Sequence, residues 1–172
     1  HADGKQVTTG AWGRRQRLGK SISTYHSHAW YRHLNIEEYA GEHPEYCALV
    51  DGRRLTRYYS GHHGGQVCTT SPEVINIFAE KCKQYFRDYA DRTMCSVSPN
   101  DGGGFCMCED CTALDLAQWP EDSSRAGHPQ MADRMLTFYN QIAEQVAAEF
   151  PDRYLGAYVY SYYVAPPLKV KP

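Results

Sequence analysis

The sequence lacks the long apolar run that a membrane-spanning helix requires. Such a span takes about 20 consecutive apolar residues, and no stretch of the 172 residues approaches that length. The first residues, HADGK, are polar and carry no signal-peptide pattern, so they assign the chain to no compartment. Because the chain begins with His1 rather than Met, we expect a processed form or a piece of a longer protein. We predict no membrane association.

The sequence also lacks an excess of basic charge. It has 18 Lys and Arg against 20 Asp and Glu, which gives a formal net charge of -2. Proteins that bind nucleic acid usually present a basic patch or stripe. The two short basic clusters, Arg14–Arg17 and Arg53-Arg54, follow glycines and are typical of solvated loops. We therefore expect no nucleic-acid partner.

Tyrosine, in contrast, is abundant, with 14 copies beside 3 Trp. Its ring offers an apolar face and its hydroxyl a polar tip, a combination that suits wet binding surfaces. The alternative is that the tyrosines are spread through the core and its edges.

Strand-like and helix-like patterns alternate along the chain. Strands are predicted over Ser21–Trp30, Gln66–Thr70, Thr93–Ser98 and Tyr154–Tyr160, a hairpin over Ala48–Thr56, and helices over Asn35–Tyr46, from Ser71-Pro72 onward, and over Pro129–Phe150. Ser71 is a favoured N-cap and Pro72 a favoured first helical residue. The alternation predicts βα units and a mostly parallel sheet in one domain spanning residues 1–172.

The ends of the predicted strands carry polar, aromatic and sulfur side chains. Functional residues of parallel α/β folds gather at the C-terminal ends of their strands. These ends carry His26, His28 and Trp30; Cys68, Thr69 and Thr70; Asn100 and Asp101; and Tyr160, Tyr162 and Tyr163. We therefore expect these side chains to share one face of the domain.

The stretch Ser96–Cys111, SVSPNDGGGFCMCEDC, contains three cysteines at C-x-C-x-x-C spacing. Two cysteines of a C-x-C unit rarely form a disulfide, because their side chains diverge. Thiolates at this spacing suit tetrahedral zinc, and a structural zinc site needs four ligands. The sequence therefore favours a structural Zn²⁺ site made by Cys106, Cys108, Cys111 and a fourth residue.

Cys68 is the preferred fourth ligand, because a neighbouring parallel strand would bring its end close to the triplet. His62 and His63 are the alternatives for this position. The seven cysteines are an odd number, so disulfides alone would leave one unpaired. Disulfides, free thiols and another metal stay open as alternatives, whereas Cys82 and Cys95 have the pattern of small buried apolar residues.

Asn100-Asp101, followed by three glycines, places a carboxylate on a turn at a strand end. One interpretation is an Asx turn, in which such side chains bond to their own backbone. The other is a carboxylate that takes part in chemistry.

Several motifs together resemble a known family. They are EYAGEHPEYCALVDGRR (Glu38–Arg54), QVCTTSPEV (Gln66–Val74), the stretch Ser96–Cys111, and a helix with Phe138, Asn140 and Ala143 that ends at Phe150-Pro151-Asp152. The chain, from about residue 24 to 167, resembles a bacterial family of domains of unknown function. That family is similar to glycoside hydrolase barrels of the α-glucuronidase, β-N-acetylhexosaminidase and O-GlcNAcase types.

The resemblance implies a (β/α)₈ TIM-barrel-like fold in a protein of polysaccharide use. A whole barrel needs about 200–250 residues or more, so we expect this chain to supply about half of one. The remainder of a longer chain, or self-association, would complete it. The resemblance also implies that Cys68 and the C-x-C-x-x-C cysteines form one cluster, and that His28, Tyr158 and Tyr160 line a sugar subsite.

Three functional hypotheses follow. In the first, a glycoside hydrolase-like domain uses Asp101 as general acid and Asn100 to orient the substrate, while His26, His28, Trp30, Tyr158 and Tyr160 bind sugar. These hydrolases usually carry two adjacent carboxylates where this chain has Asn100-Asp101. The second hypothesis is a non-catalytic carbohydrate-binding or structural module stabilised by zinc. The third is a metal-dependent hydrolase with His26 and His28 as ligands.

Overall fold

The structure, a computed structural model, describes residues 26–57, 65–118 and 126–171. Its helices are α1 (Trp30–His33), α2 (Ile36–Tyr39), α3 (Pro72–Asp88), α4 (Glu109–Ala113) and α5 (Ala132–Ala147). Its strands are β1 (Leu49–Val50), β2 (Arg53–Arg54), β3 (Met94–Ser96), β4 (Leu116–Gln118), β5 (Pro129–Gln130) and β6 (Tyr154–Gly156). Short 3₁₀ helices cover Pro44–Tyr46 and Ser161–Tyr163.

Helix α3 begins where the sequence signals predict. The Ser71 hydroxyl accepts a hydrogen bond from the Val74 N–H at 3.3 Å, and Pro72 occupies the first helical turn, where its missing N–H costs nothing. The helix buries the apolar side that its periodicity indicates. No helix among the described residues combines the length and the apolar character needed to cross a bilayer.

Helix α5 packs against α3 and begins at Ala132 rather than at the predicted Pro129. Residues 129 and 130 are taken up by β5, which pairs antiparallel with β4. A β-bridge therefore replaces the first turn of the predicted helix. The predicted helix over residues 35–46 likewise divides into α2 and a 3₁₀ turn that begins at Pro44.

Two short parallel pairings connect distant parts of the chain. Strand β3 pairs in parallel with β6, with Cys95 opposite Leu155, and His28 forms a parallel bridge with Ser98. Helix α3 precedes β3 and helix α5 precedes β6, which is the order expected of βα units. Within the described ranges the strands form three two-stranded sheets and no closed barrel, so the half-barrel architecture stays a prediction.

The predicted hairpin over residues 48–56 is confirmed as β1 and β2, joined by a turn at Asp51-Gly52. The predicted strand over residues 66–70 is reduced to one antiparallel bridge between Val67 and Cys47. Of the predicted strand over residues 21–30, residues 21–25 lie outside the described part of the chain.

Trp30 lies at the centre of the hydrophobic core, which corrects its assignment to a sugar-binding surface. Its side chain is fully buried, and its indole N–H donates a hydrogen bond to the Val97 carbonyl at 2.7 Å. Its ring makes edge contacts with Phe78, Phe105 and Phe138. Because no face of the ring is open, we remove Trp30 from the binding residues.

Candidate functional site

Four cysteines converge on one point. The Sγ atoms of Cys68, Cys106, Cys108 and Cys111 all lie within 4.8 Å of one another. Cys68 Sγ is 3.7 Å from Cys108 Sγ and 3.8 Å from Cys111 Sγ. Zinc–sulfur bonds of about 2.3 Å in a tetrahedron put the sulfurs about 3.8 Å apart, whereas a disulfide needs about 2.05 Å. The set, hereafter the four-cysteine site, therefore fits a tetrahedral metal ion.

Two separate segments carry these thiols, and the β1–β2 hairpin packs against one of them. Cys68 lies between the Tyr46 carbonyl, to which its N–H donates at 2.8 Å, and the start of α3. Cys106 and Cys108 lie on the loop before α4, and Cys111 lies in α4 itself. The β1–β2 hairpin contacts the loop that carries Cys106 and Cys108, because the Met107 N–H donates to the Leu49 carbonyl at 2.7 Å.

Hydrogen-bond donors surround the sulfurs. The Leu49 N–H donates to Cys106 Sγ at 3.3 Å. The Thr70 and Thr69 hydroxyls lie 3.2 Å and 3.4 Å from Cys111 Sγ. Such outer contacts orient metal ligands and stabilise their negative charge. The four-cysteine site thus has the hydrogen-bond donors that a set of thiolates requires.

Without a cation, these thiols resist ionising together. The pKa of Cys111 is lowered by hydrogen bonds, first from the Cys106 thiol and then from the Cys68 thiol. The pKa of Cys106 is raised, first by its hydrogen bond to Cys111. One thiolate is thus favoured at the expense of its neighbours. A divalent cation at the centre would remove this opposition by neutralising the added charge.

A buried ion pair supports the loop that carries Cys106. Arg134, in α5, donates a hydrogen bond to the Cys106 carbonyl at 2.5 Å, and its Nε lies 2.9 Å from Asp115 Oδ1. Both side chains are at most 5% exposed. Burial raises the pKa of Asp115 to about 6, and the Arg134 charge opposes this shift. Sequence reasoning missed this pair, because no local pattern links residues of α5 to the α4 loop.

A second set of side chains lies at the ends of the parallel segments. We define the strand-end surface by His26, His28, Asp101, Tyr158 and Tyr160. The Tyr160 hydroxyl donates to Asp101 Oδ1 at 3.2 Å, and His28 Nε2 is 3.9 Å from the same oxygen. Tyr158 makes edge contacts with His26 and His28 at centroid distances of 4.3 and 5.0 Å. Of the residues predicted for the sugar site, all except Trp30 and Asn100 thus come together.

Hydrogen bonds fix the two histidines of this surface. His28 Nδ1 lies 2.6 Å from the Pro99 carbonyl, which leaves Nε2 directed toward Asp101. His26 Nε2 lies 3.1 Å from Ser98 Oγ. Burial lowers the pKa of His26, and the neighbouring His28 adds to this effect. In the described part of the chain, neither histidine belongs to a group of three or more converging metal ligands.

A close approach positions His26. A Cβ atom on Gly156 of β6 would lie 2.8 Å from His26 Nδ1 and 2.6 Å from Met94 Sδ. A side chain at this position would displace the histidine ring. Glycine therefore allows the strand-end surface to pack against β6.

Asn100 is buried below this surface rather than exposed on it. Its Oδ1 accepts from the Tyr31 N–H at 2.8 Å, and its Nδ2 donates to the Gly65 carbonyl at 2.6 Å. The side-chain amide of Gln66 donates from Nε2 to the Asn100 backbone carbonyl at 2.8 Å. These bonds occupy the side chain on both sides. Asn100 therefore positions the Asp101 loop and does not reach a ligand, which corrects its predicted role in orienting substrate.

Asp101 lies between two anchors. Asn100 holds the loop on one side, and the four-cysteine site holds it five residues later at Cys106. The turn between them contains Gly104 at φ +75°, where an added Cβ would meet Leu55 Cδ1 at 3.1 Å. The carboxylate itself is 56% exposed. His62 and His63, the alternative fourth ligands, lie outside the described residues.

Comparison with known proteins gave one finding that covers nearly the whole chain. Searches among curated proteins and among solved structures returned no match. A family model described as "Domain of unknown function (DUF4838)" matches residues 3–172, and the chain therefore belongs to this family.

Proposed function

We propose that this chain is a glycoside hydrolase-like domain that binds an oligosaccharide or polysaccharide at the strand-end surface. The observation that carries the proposal is the grouping of Asp101, Tyr160 and His28. An exposed carboxylate there has a phenol hydroxyl at 3.2 Å and an imidazole at 3.9 Å. Sugars are bound by such mixtures of polar groups and aromatic faces, because each ring carries both hydroxyls and apolar C–H surface.

The architecture we propose is about half of a (β/α)₈ barrel. The parallel pairing of β3 with β6 and of His28 with Ser98 supports it, as does the helix that precedes each of β3 and β6. The remainder of a longer chain, or a second copy of this one, would supply the missing strands. The strand-end surface would then form part of the wall of the binding cleft.

The four-cysteine site is proposed to hold structural zinc. Four thiolates fill a tetrahedral coordination sphere and leave no open position for substrate. Its contribution to function is indirect, since it fixes the loop five residues after Asp101. The zinc would cross-link the segment of Cys68 to the loop and helix that carry Cys106, Cys108 and Cys111, and it would take no part in bond cleavage.

Asp101 is the proposed general acid, which would protonate the leaving glycosidic oxygen. The described side-chain partners of Asp101 are Tyr160 and His28, and neither is a carboxylate. Most glycosidases need a second carboxylate, although some use an acetamido group of the substrate instead. This geometry also favours a second candidate function, which is carbohydrate binding without catalysis.

Glycan binding and turnover by the full chain, compared with Asp101→Asn and Tyr160→Ala, test the proposal. We expect Asp101→Asn to bind within a few-fold of the parent and to lose turnover. Tyr160→Ala should bind about tenfold more weakly, which corresponds to about 1.4 kcal/mol. Asp152→Asn is the matched control, because this exposed carboxylate precedes β6 at the opposite end of the strand.

Three outcomes separate the alternatives. Turnover by the parent that survives in Asp101→Asn contradicts the role of Asp101 as acid. Binding without turnover on any glycan assigns the non-catalytic function. Absence of binding across a broad glycan panel, with folded protein, contradicts the proposal as a whole.

A further inference from the structure

A second thiol cluster shares no residue with the two sites described above. It consists of His33 at the end of α1, Cys82 in α3 and Cys95 in β3, all buried. The Sγ atoms of Cys82 and Cys95 lie 3.4 Å apart. We call these two cysteines the thiol pair. In sequence they look like ordinary apolar core residues, and only the packing of α3 on β3 brings them into contact.

The geometry of this cluster differs from that of a filled metal site. It offers three ligands rather than four, and its sulfurs are closer than the separation of about 3.8 Å found around tetrahedral zinc. A thiol pair poised for direct contact accounts for these distances better than a metal ion does.

The two thiols are electrostatically unequal. The pKa of Cys95 is lowered to about 6, first by the hydrogen bond with Cys82 and then by His33, against the opposing effect of burial. The pKa of Cys82 is raised well above its usual value by the same hydrogen bond and by burial. With both thiols protonated, Cys95 Sγ donates to Cys82 Sγ. When one proton is lost, the directions of the two pKa shifts favour the charge on Cys95, with Cys82 then as the donor.

An open pocket leads to Cys95. Its volume is about 230 Å³, which is room for several water-sized molecules. Its lining includes Cys95, His33, Ser96, Arg32, Lys81 and Asp88. Cys95 lines this pocket but is itself 3% exposed, which excludes a protein-sized reagent and requires one as small as a peroxide.

We propose that Cys82 and Cys95 form a peroxide-oxidised thiol pair, in which Cys95 is oxidised first and Cys82 then resolves it. In the first step, the Cys95 thiolate attacks one oxygen of a hydroperoxide and the O–O bond breaks. With hydrogen peroxide, Cys95 becomes a sulfenic acid, and the departing hydroxide takes a proton to become water. In the second step, the Cys82 thiol attacks the sulfenic sulfur, the S–O bond breaks, and a second water leaves. Two electrons pass from the two thiols to the peroxide, and a disulfide results.

The expected rate advantage of Cys95 is modest. At pH 7 a thiol of pKa about 6 is about 90% ionised, against about 1% for one near the ordinary value of 9.0. The intrinsic nucleophilicity falls by about 15- to 30-fold over the same three units. The net gain is about three- to sixfold over an ordinary thiol. The signature of the pair is therefore the product, a specific disulfide, more than the speed.

The test treats the full chain with one equivalent of hydrogen peroxide, alkylates the remaining thiols and maps the peptides. Cleavage before aspartate isolates Cys95 in the peptide 91–100, while Cys82 falls in the peptide 51–87. We expect a cross-link between these peptides that a dithiol reverses, with fragmentation assigning it to Cys82. In Cys82→Ala, a 1,3-diketone probe should trap sulfenic acid on Cys95.

Cys47 is the matched control within the same molecule, because it is fully buried and burial raises the pKa of its thiol. We expect Cys95 to be oxidised at least about threefold faster than Cys47. Equal rates overturn the proposal, and so does a parent protein without the 82–95 link. Protection of Cys95 by added Zn²⁺, beyond the amount taken up by the four-cysteine site, assigns a metal role and also overturns it. The mapping of the parent needs no variant, so a misfolded Cys82→Ala does not weaken the test.

Discussion

The two thiol clusters of this molecule are both built around cysteine, but they differ in geometry and in proposed role. The four-cysteine site has four sulfurs, two pairs of which are 3.7 and 3.8 Å apart, and they lie on a loop, a short helix and the segment before α3. The thiol pair has two sulfurs 3.4 Å apart, between a long helix and a strand that already pack together. The first arrangement has the spacing and number of ligands for a tetrahedral cation. The second has neither, but an open pocket reaches one of its sulfurs.

The difference shows that buried cysteines must be judged by their geometry and not by their burial. Cys111 and Cys82 are both fully buried. What separates them is the number of converging thiols, their spacing, and the donors around them. Thr69 and Thr70 direct hydroxyls at Cys111, whereas Cys82 has its main polar contact with one other thiol.

Replacing one ligand of the four-cysteine site should have the largest effect. Structural zinc contributes about 10–16 kcal/mol in small domains, so one of four ligands accounts for about 3 kcal/mol. We expect Cys111→Ser to weaken zinc binding by about a hundredfold. Competition with a chromophoric chelator measures this affinity, and elemental analysis gives the stoichiometry. Unchanged affinity, in a folded variant, contradicts a metal role for the cluster.

Removing an outer contact should have a smaller effect on the same site. The Thr70 hydroxyl lies 3.2 Å from Cys111 Sγ and 3.6 Å from Cys68 Sγ. We expect Thr70→Val to lower zinc affinity by about tenfold, because the shape is kept and the hydroxyl is lost. Thr112→Val is the matched control. Its hydroxyl donates to the carbonyls of residues 108 and 109 and not to sulfur, so its zinc affinity should stay within about twofold of the parent.

Truncating the thiol pair should have the smallest effect of the three. Cys95→Ala removes one buried sulfur from a core contact, and we expect a loss of about 1 kcal/mol in the free energy of unfolding. Its zinc content should equal that of the parent, in contrast to Cys111→Ser. Urea unfolding followed by circular dichroism, with metal analysis of the same samples, checks both values. Loss of zinc from Cys95→Ala would erase the distinction between the clusters.

Part of the fold was predictable because its signals are local. Ser71-Pro72 begins α3, and Asp51-Gly52 turns the hairpin, since caps and turns depend on neighbours within a few residues. The start of α5 was predicted three residues early. The first residues of the predicted helix instead form β5, which pairs with β4.

The candidate site was likewise predictable from the sequence only in part. The spacing of Cys106, Cys108 and Cys111 predicted a metal-like cluster with Cys68 as the preferred fourth ligand, and the structure brings the four sulfurs within 4.8 Å of one another. Trp30 and Asn100 were assigned to the surface from their position at strand ends. Both are buried, because the chain turns into α1 before Trp30 can reach solvent and because Asn100 bonds to Tyr31 and Gly65.

The sequence by itself determined the cysteine triplet, the helix start at Ser71-Pro72 and the turn of the hairpin, all of which arise within a few residues of chain. Only the tertiary structure decided that the Asp101 carboxylate meets Tyr160, and that Cys82 meets Cys95 beside His33. The physical reason is the separation along the chain over which each kind of interaction acts. Local signals act through backbone geometry, whereas contacts between distant residues depend on how helices pack on strands, which no short pattern encodes.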